Sequence, residues 1–439
     1  MSWQQYYSER LINPRQAAQI IKSGDRLVFG HAVGEPSALI QAIVDHASSY
    51  RNVEIVHMIC MGKGAHCQAA LSDNFRHNSL FVGGASRKAI HDGFADYTPC
   101  RFSAIPELFR DGYLPVDIAF LMVSPPDRHG YCSLGVSVDY GMQALKSANL
   151  VIVQVNRQMP RTMGDSFAHV TDIDYFVEVD EPLIELAKPN LTAVEKQIGC
   201  YCAELIEDES TIQLGIGNLP DAVLLSLKGK RDLGIHSEMI SDGVIELIEA
   251  GVITNRKKTL HNGKIVVTFL MGSRMLYDFA DDNPMFHMAP VDYVNDPLTI
   301  AQNNKMVSIN SCVQVDLMGQ IAAESIGPIQ ISAVGGQADF IRGAGMSKGG
   351  KSIIAIQSTA MGGKTSKIVP EFELGTAITT PRYDVDYVVT EFGIAGLKGK
   401  TLRERSKSLI RIAHPVFQKS LIEHFENKFQ TEFEREANR

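Results

Sequence analysis

Apolar residues in this chain come in short blocks, and blocks with helical spacing alternate with blocks that are apolar throughout. Residues 14–22 carry a helical pattern that stops at Lys22-Ser-Gly-Asp25, and Arg26-Leu-Val-Phe-Gly30 then reads as a strand. The loop His31-Ala-Val-Gly-Glu-Pro36 opens a helix running to Val44, with Pro36 suited to its first turn. Val53-Glu-Ile-Val-His57 is the next strand. Asp117-Ile-Ala-Phe-Leu-Met-Val123 and Val151-Ile-Val-Gln-Val155 are nearly all apolar, as strands covered on both faces are. The second half repeats the rhythm, with strand candidates at 211–214, 233–236, 265–270, 306–309, 353–356 and 386–390. Strands alternating with helices across Gly/Pro loops predict an α/β fold with mostly parallel sheets. No short-period repeat is visible, which excludes a solenoid.

The expected boundary lies between Glu181-Pro182 and Pro189-Asn190. Beyond it, Thr192-Ala-Val-Glu195 begins a helix with a capping box. The economical reading is one α/β lobe per half, 1–187 and 188–439, with a ligand cleft between the lobes. Near the end, Thr401-Leu-Arg-Glu404 is a second capping box, opening a helix to about Ala413. From Pro415 onward, Phe417, Leu421, Ile422, Phe425 and Phe429 recur at helical spacing, a face for core or subunit contact.

Composition narrows the class. The 439 residues exceed one hydrophobic core, so two domains or three are expected. With 45% apolar and 21% charged residues the balance is that of a globular protein, and 36 glycines fit a fold with many tight turns. The net charge of −8, with no Lys/Arg run, argues against a nucleic-acid partner. An anionic ligand stays possible, since helix N-termini supply local positive potential. No apolar run reaches membrane-span length, and the N-terminal segment lacks a basic region followed by an apolar one. Cys60, Cys67, Cys100, Cys132, Cys200, Cys202 and Cys312 form an odd, scattered set unlike a disulfide framework, so a reduced cytoplasmic setting is expected. His57, Cys60, His66 and Cys67 make a metal-like cluster. No second ligand group has matching spacing, so buried Cys and His are the simpler reading and no metal is expected.

The candidate chemistry sits in strand-to-helix turns. Glu238 lies in Gly234-Ile-His-Ser-Glu-Met-Ile-Ser-Asp-Gly243, after a predicted strand and before Ser241-Asp242, which reads as a helix N-cap. That places a carboxylate beyond the carboxyl end of a strand, where open α/β sheets keep their ligands. Upstream, Gln213-Leu-Gly-Ile-Gly-Asn-Leu-Pro220 is a glycine turn opening a helix near Pro220. It presents N–H groups suited to an oxyanion or phosphate, but it is no dinucleotide fingerprint, because Pro220 stands where a third glycine belongs. Val334-Gly-Gly-Gln-Ala-Asp339 is a second such turn, equally readable as a plain turn with Asp339 as N-cap. Ser358-Thr-Ala-Met-Gly-Gly-Lys-Thr365 resembles a P-loop only superficially, since Ser358 replaces its leading glycine; Lys364 could still meet a phosphate. A second carboxylate, Glu391, ends an apolar strand in Thr390-Glu-Phe-Gly393. Two carboxylates with several N–H-presenting turns suggest acyl chemistry. Glycosidase chemistry also uses two carboxylates, but no aromatic platform clusters near these turns.

The chain resembles the acetyl-CoA hydrolase/transferase family of CoA-transferases, and within it the 4-hydroxybutyrate and butyryl-CoA:acetate CoA-transferases most. The likeness runs from Ser23-Gly-Asp25 to Ile412-Ala-His-Pro415. It is carried by Ser124-Pro-Pro-Asp-Arg-His-Gly-Tyr-Cys-Ser133, Asn156-Arg-Gln-Met-Pro-Arg161, Gly215-Ile-Gly-Asn218, His236-Ser-Glu238, Gly335-Gly-Gln-Ala-Asp339 and Thr390-Glu-Phe-Gly393. The resemblance implies two open, mostly parallel lobes of the CoA-transferase type, in a homodimer or higher homo-oligomer. It implies acyl-CoA and a short-chain carboxylate as substrates, with no metal or nucleotide cofactor and no nucleic-acid or membrane partner. It casts Glu238 as the nucleophile that becomes a glutamyl-CoA thioester, and the backbone N–H groups of Ile216 and Gly336 as oxyanion donors. Asn310 and Glu391 would line the acyl pocket. Gly215, Ile216, Gly217, Asn218, Leu219, Gly335, Gly336 and Lys364 would lie along the CoA. Relatives often carry a basic residue where this chain has Met361, which puts that CoA contact in question. A CoA-thioester hydrolase on the same scaffold, a catalytically silent acyl-CoA-binding regulatory protein and a sugar-phosphate isomerase of related fold are the alternatives.

Overall fold

The most apolar runs become the centre of a parallel sheet. In the computed structural model, which describes residues 2–188 and 190–434, Ile118–Val123 is buried at all six positions. It pairs in parallel with Arg26–Phe29 on one side and Leu150–Val155 on the other. The seven strands of this sheet run Ala95–Tyr97, Phe75–Ser79, Val53–His57, Arg26–Phe29, Ile118–Val123, Leu150–Val155, Tyr175–Glu178, all parallel. The chain therefore winds outward twice from Arg26–Phe29. The strand order reverses between that strand and Ile118–Val123, the kind of switch point at which α/β sheets open a crevice. Three outer strands escaped the sequence reading. Phe75-Arg-His-Asn-Ser79 has a single apolar residue, yet His77, Asn78 and Ser79 are buried, Asn78 by donating to Glu54 Oε1 at 2.9 Å.

The second sheet runs Gly234–Ile235, Thr211–Leu214, Met306–Asn310, Lys351–Ala355, Tyr387–Thr390, Gly393–Gly396. Thr211–Leu214 through Tyr387–Thr390 are parallel, and Gly393–Gly396 turns back as an antiparallel edge. Beside it, helix Leu402–Arg411 starts at the predicted Thr401/Glu404 capping box. The predicted apolar face of helix Pro415–Phe429 is core, with Leu421 and Phe425 packed among Leu317, Ile354, Val388 and Leu409. Helix Ala193–Leu205 likewise begins at the predicted Thr192/Glu195 box. It lies so close to helix Asn218–Ser226 that a Cβ on Gly199 would stand 2.4 Å from the Ala222 carbonyl oxygen. Cys200 is exposed on the first of these helices and Cys202 buried, so the two thiols diverge as their spacing requires.

Internal packing divides the chain into two compact units. One holds the chain up to Lys188 with Ile235–Ile245 and Gly263–Asp296; the other holds the remainder. The first break follows Lys188, and Pro189 lies outside the described residues. Thereafter the units are not the contiguous halves expected, because two segments of the second half, one carrying Glu238, join the first unit. The reason is backbone pairing. Leu270 N donates to Val136 O at 2.8 Å and Val138 N to Thr268 O at 3.0 Å. The short parallel pairs Met239–Ile240 with Phe269–Leu270 and Ile265–Val267 with Phe286–Met288 complete the segment. No helix among the described residues is long and apolar enough to cross a membrane.

Candidate active site

Glu238 is fixed from both sides by the main chain. Ser237 N donates to Val266 O at 3.0 Å, and the Glu238 carbonyl accepts from Thr268 N at 3.0 Å and Phe269 N at 3.2 Å. It joins two two-residue strands, Gly234–Ile235 and Met239–Ile240. The second of these strands is a departure from the sequence reading, which ran from Glu238 directly to a helix cap. Pairing with Phe269–Leu270 draws Met239 and Ile240 into a strand, and the helix then starts at Asp242, where Ser241-Asp242 read as its cap. One helix end then orients two neighbouring side chains. At the end of helix Val291–Val294, the Val294 carbonyl accepts from His236 Nε2 at 2.8 Å. The next residue, Asn295, is fully buried and donates from Nδ2 to Glu238 Oε2 at 2.7 Å. A charged acceptor makes this one of the stronger hydrogen bonds. The half-buried Glu238 carboxylate is thus aimed rather than loose. Sequence reasoning missed Asn295; before Asp296-Pro297 it signals only a helix end.

The remaining candidates lie in the second unit, along the carboxyl edge of its parallel strands. Thr211–Leu214 leads into Gly215-Ile216-Gly217, and the helix begins at Asn218, earlier than the Pro220 start expected. Gly217 takes φ 104°, ψ −174°, which favours glycine strongly, and a Cβ on Gly215 or Gly217 would meet nothing within 4 Å. Ile216, Gly217 and Asn218 are exposed, so this turn presents backbone to solvent, with Leu219 half-buried behind it. Asn218 Nδ2 donates to Glu195 Oε1 at 2.7 Å, tying the turn to the neighbouring capping box. Burial would raise the Glu195 carboxyl, but hydrogen bonds from Thr192 and Asn218 outweigh it and hold the group below the usual glutamate range.

Along the same edge, Asn310 ends strand Met306–Asn310. It exchanges amide hydrogen bonds with Gln213, Nδ2 to Oε1 at 3.2 Å and Nε2 to Oδ1 at 3.4 Å in return. Glu391 follows strand Tyr387–Thr390 and accepts from Ser358 on both oxygens, N–H to Oε2 at 2.9 Å and Oγ to Oε1 at 2.6 Å. Gly336 caps helix Gln337–Met346, which packs on strands Met306–Asn310 and Lys351–Ala355 and runs back between them, so its N-terminus lies at this edge. Gly335 has φ 54°. Gly335 and Gly336 are buried, unlike the Gly215 turn. Asp339 is not the cap, as one reading had it. It sits fully buried in the helix's first turn, where a carboxylate faces the positive end of the helix dipole.

No phosphate loop forms at Ser358–Thr365. Strands Thr359–Ala360 and Thr365–Ser366 make a hairpin whose tip, Met361, Gly362 and Gly363, has positive φ at each residue, and no helix follows. Lys364 is exposed beside that tip, and Met361 is exposed at it. The hairpin grows directly from Ser358, the residue that holds Glu391. The structure thus gathers Gly215–Leu219, Asn310, Gly335–Gly336, Lys364 and Glu391 in one unit, and sets Glu238 with Asn295 in the other.

Comparison with known proteins gives one consistent answer. Residues 1–186 match the acetyl-CoA hydrolase/transferase N-terminal domain, and residues 272–425 the acetyl-CoA hydrolase/transferase C-terminal domain. The chain is 60% identical to a 4-hydroxybutyrate coenzyme A transferase of Clostridium kluyveri, over 98% of this chain and all of that protein. It is 37% identical to a butyryl-CoA:acetate CoA-transferase of Anaerostipes caccae, over 97% of this chain and 98% of that one. A crystal structure of a 4-hydroxybutyrate CoA-transferase from Porphyromonas gingivalis superposes with a TM-score of 0.84 at 41% identity, covering 98% of this chain and all of that one.

Proposed function

The chain belongs to the acetyl-CoA hydrolase/transferase family and is a CoA-transferase, and on that premise we propose that Glu238 carries the CoA between two carboxylic acids. The Glu238 carboxylate attacks the thioester carbonyl of a short-chain acyl-CoA, giving a mixed anhydride and CoA thiolate. The thiolate then attacks the glutamyl carbonyl, releasing the free acid and leaving a glutamyl-CoA thioester. A second carboxylate such as acetate runs the same steps in reverse, restoring Glu238 and forming a new acyl-CoA. A thioester is exchanged for a thioester, so the reaction is nearly isoenergetic and calls for no ATP. The covalent intermediate splits one hard exchange into easier steps.

The observation that carries this reading is the 2.7 Å bond from Asn295 to Glu238 Oε2, which orients the carboxylate a nucleophile requires. The N–H groups of Ile216 and Gly336 serve as oxyanion donors, where one donor is typically worth about 100-fold or more in rate. Glu391, locked by Ser358, and Asn310, paired with Gln213, offer fixed polar groups to the acyl chain or the acceptor acid. Gly215 to Leu219, Gly335-Gly336 and Lys364 contact the CoA. The relatives' names support 4-hydroxybutyryl-, butyryl- and acetyl-CoA as the acyl donors to try first. The enzyme acts as a homo-oligomer, most simply a dimer, in a reducing cytoplasm that suits its seven free cysteines.

Intact mass spectrometry after incubation with butyryl-CoA tests the proposal. A CoA-sized adduct that maps to Glu238 and is discharged by acetate supports it. Acyl-CoA turnover that proceeds equally without acetate and leaves Glu238 unmodified overturns it.

A further inference from the structure

Three imidazoles and two thiols converge beneath the loop that follows strand Val53–His57, and none has a part in CoA exchange as proposed above. The 3-10 turn Ala65–Cys67 carries His66 and Cys67. Gly64 starts it with φ 58°, and a Cβ there would stand 2.7 Å from the Ala85 Cβ, so the turn is seated where only glycine fits well. His77 reaches the same place from the next strand, in register with Ile55. Spacing along the chain hid this residue, because a parallel neighbour strand, not a second Cys/His pair, supplies it. His66 is 2% exposed, Cys67 6% and His77 1%. Their ligand atoms all lie within 4.8 Å of one another.

Both ring nitrogens of His66 and both of His77 are buried without a hydrogen-bond partner among the described residues. Four such nitrogens in one cluster are unusual, because buried polar atoms are ordinarily paired. His57 stands alongside, its Nε2 donating to the Gly30 carbonyl at 2.9 Å while Nδ1 has no hydrogen-bond partner among the described residues. Phe29 packs edge-on against His57 and His66, with centroids 5.8 and 5.7 Å apart, and keeps this side of the cluster apolar.

We propose that His66, Cys67 and His77 bind one zinc ion. Two imidazole nitrogens and a thiolate are a zinc-type donor set, and three protein ligands leave a tetrahedral ion one position for an exogenous ligand. Ligand atoms around tetrahedral zinc stand roughly 3.5 Å apart, so side-chain rotations on the order of 1 Å close the cluster onto the metal. Imidazole binds a cation in its neutral form and the Cys67 sulfur binds as the thiolate, so coordination releases the Cys67 proton to solvent. A second group, His57, Cys60 and His66, shares His66. Its Cys60 thiol is less buried and already interacts with Glu35, which leaves it the poorer ligand set.

The test uses the untagged full chain. Metal analysis after gel filtration in zinc-containing and then metal-free buffer is expected to find about one zinc per chain. Cobalt(II) in place of zinc should give the visible bands of a tetrahedral site and a thiolate-to-cobalt charge-transfer band. Cys67→Ser should remove the charge-transfer band. His77→Gln should weaken zinc affinity by more than the roughly 10- to 100-fold that loss of an outer-shell partner costs. Cys60→Ser should leave the cobalt spectrum intact. Absence of retained zinc, a cobalt spectrum unchanged by both Cys67→Ser and His77→Gln, or its loss in Cys60→Ser each overturns the assignment. Should a variant fail to fold, the wild-type cobalt spectrum still decides, because one without a thiolate band overturns it.

Discussion

Glu238 and Glu391 are both half-buried carboxylates that follow strands, yet they are held differently. Glu391 is clamped on both oxygens by one residue, Ser358, through its backbone N–H and its hydroxyl. Glu238 takes an amide from Asn295 on Oε2, and its backbone is locked by Thr268 and Phe269. Both contacts are tertiary, across 33 and 57 residues, but Glu391 is clamped at both oxygens by one residue at the base of a hairpin, which makes it a fixed acceptor. Glu238 receives its amide on Oε2 from the end of a helix, which aims the carboxylate as an attacking group requires. The comparison fits the proposed roles, Glu391 as a positioning acid and Glu238 as the nucleophile, and each substitution below tests that separation.

The largest effect belongs to Glu238→Ala. With Glu238 as the proposed nucleophile, its loss should lower CoA exchange by on the order of 10⁴-fold or more. Circular dichroism and Tm should stay near wild type, because a half-buried loop carboxylate contributes little to stability. Glu391→Ala should retain the CoA adduct on Glu238 while raising KM for the carboxylate. If Glu391→Ala abolished the adduct and Glu238→Ala kept it, the two roles would have to be exchanged.

Asn295 comes next. Asn295→Ala should lower kcat by about 10- to 100-fold with little change in KM for acyl-CoA, the mark of lost orientation. Asn295→Asp should be worse near neutral pH, since it sets a second carboxylate against Glu238. Steady-state kinetics decide; a change confined to KM would mean that the amide serves binding and not attack. Ser358→Ala removes one of the two bonds to Glu391 and keeps the backbone one. A hydrogen bond to a charged group is worth about 1.5–3 kcal/mol, but the retained backbone bond keeps Glu391 in place, so KM for acetate should rise only about 2- to 10-fold. A larger loss for Ser358→Ala than for Asn295→Ala would break the comparison.

These partners mark where the sequence stops being legible. Strands with apolar runs, such as Ile118–Val123 and Tyr387–Thr390, follow from pattern, and both late capping boxes follow from local hydrogen-bond chemistry. Glu238, Glu391 and the two glycine turns could be named because their types and motif order carry them. Asn295 could not, because it lies 57 residues from Glu238 and meets it only through the packing of a short helix. The unit boundaries were hidden for a similar reason. Residues 266–270 belong to the first unit through main-chain pairing with 136–138, and main-chain pairing leaves no mark on side-chain identity. His77 was lost with its strand, whose polar residues break the alternation that a half-buried strand displays.

The smallest effect concerns a third carboxylate, Glu195, whose bonds hold the Gly215 turn in place. Its Oε2 accepts from Thr192 N at 2.7 Å and its Oε1 from Asn218 Nδ2 at 2.7 Å, with Gln357 Nε2 at 3.3 Å. Burial raises its pKa, but these bonds prevail and the folded value lies below the ordinary 4.5. Its stabilisation is therefore fully present above the ordinary value and is lost as pH falls from 4.5 through the folded value. Glu195→Gln keeps an acceptor oxygen for Asn218 and removes the charge. Wild-type Tm should fall more steeply with acidification below pH 4.5 than that of Glu195→Gln, and the two slopes should match above it. Other carboxylates titrate in both proteins and cancel in the difference. At pH 7 the variant should show a modest rise in KM for acyl-CoA, because Asn218, at the head of the helix proposed to meet the CoA, loses a charged anchor. Equal slopes below pH 4.5 would mean that the Asn218 bond does not persist in solution, and the preset geometry of that turn would then need another cause.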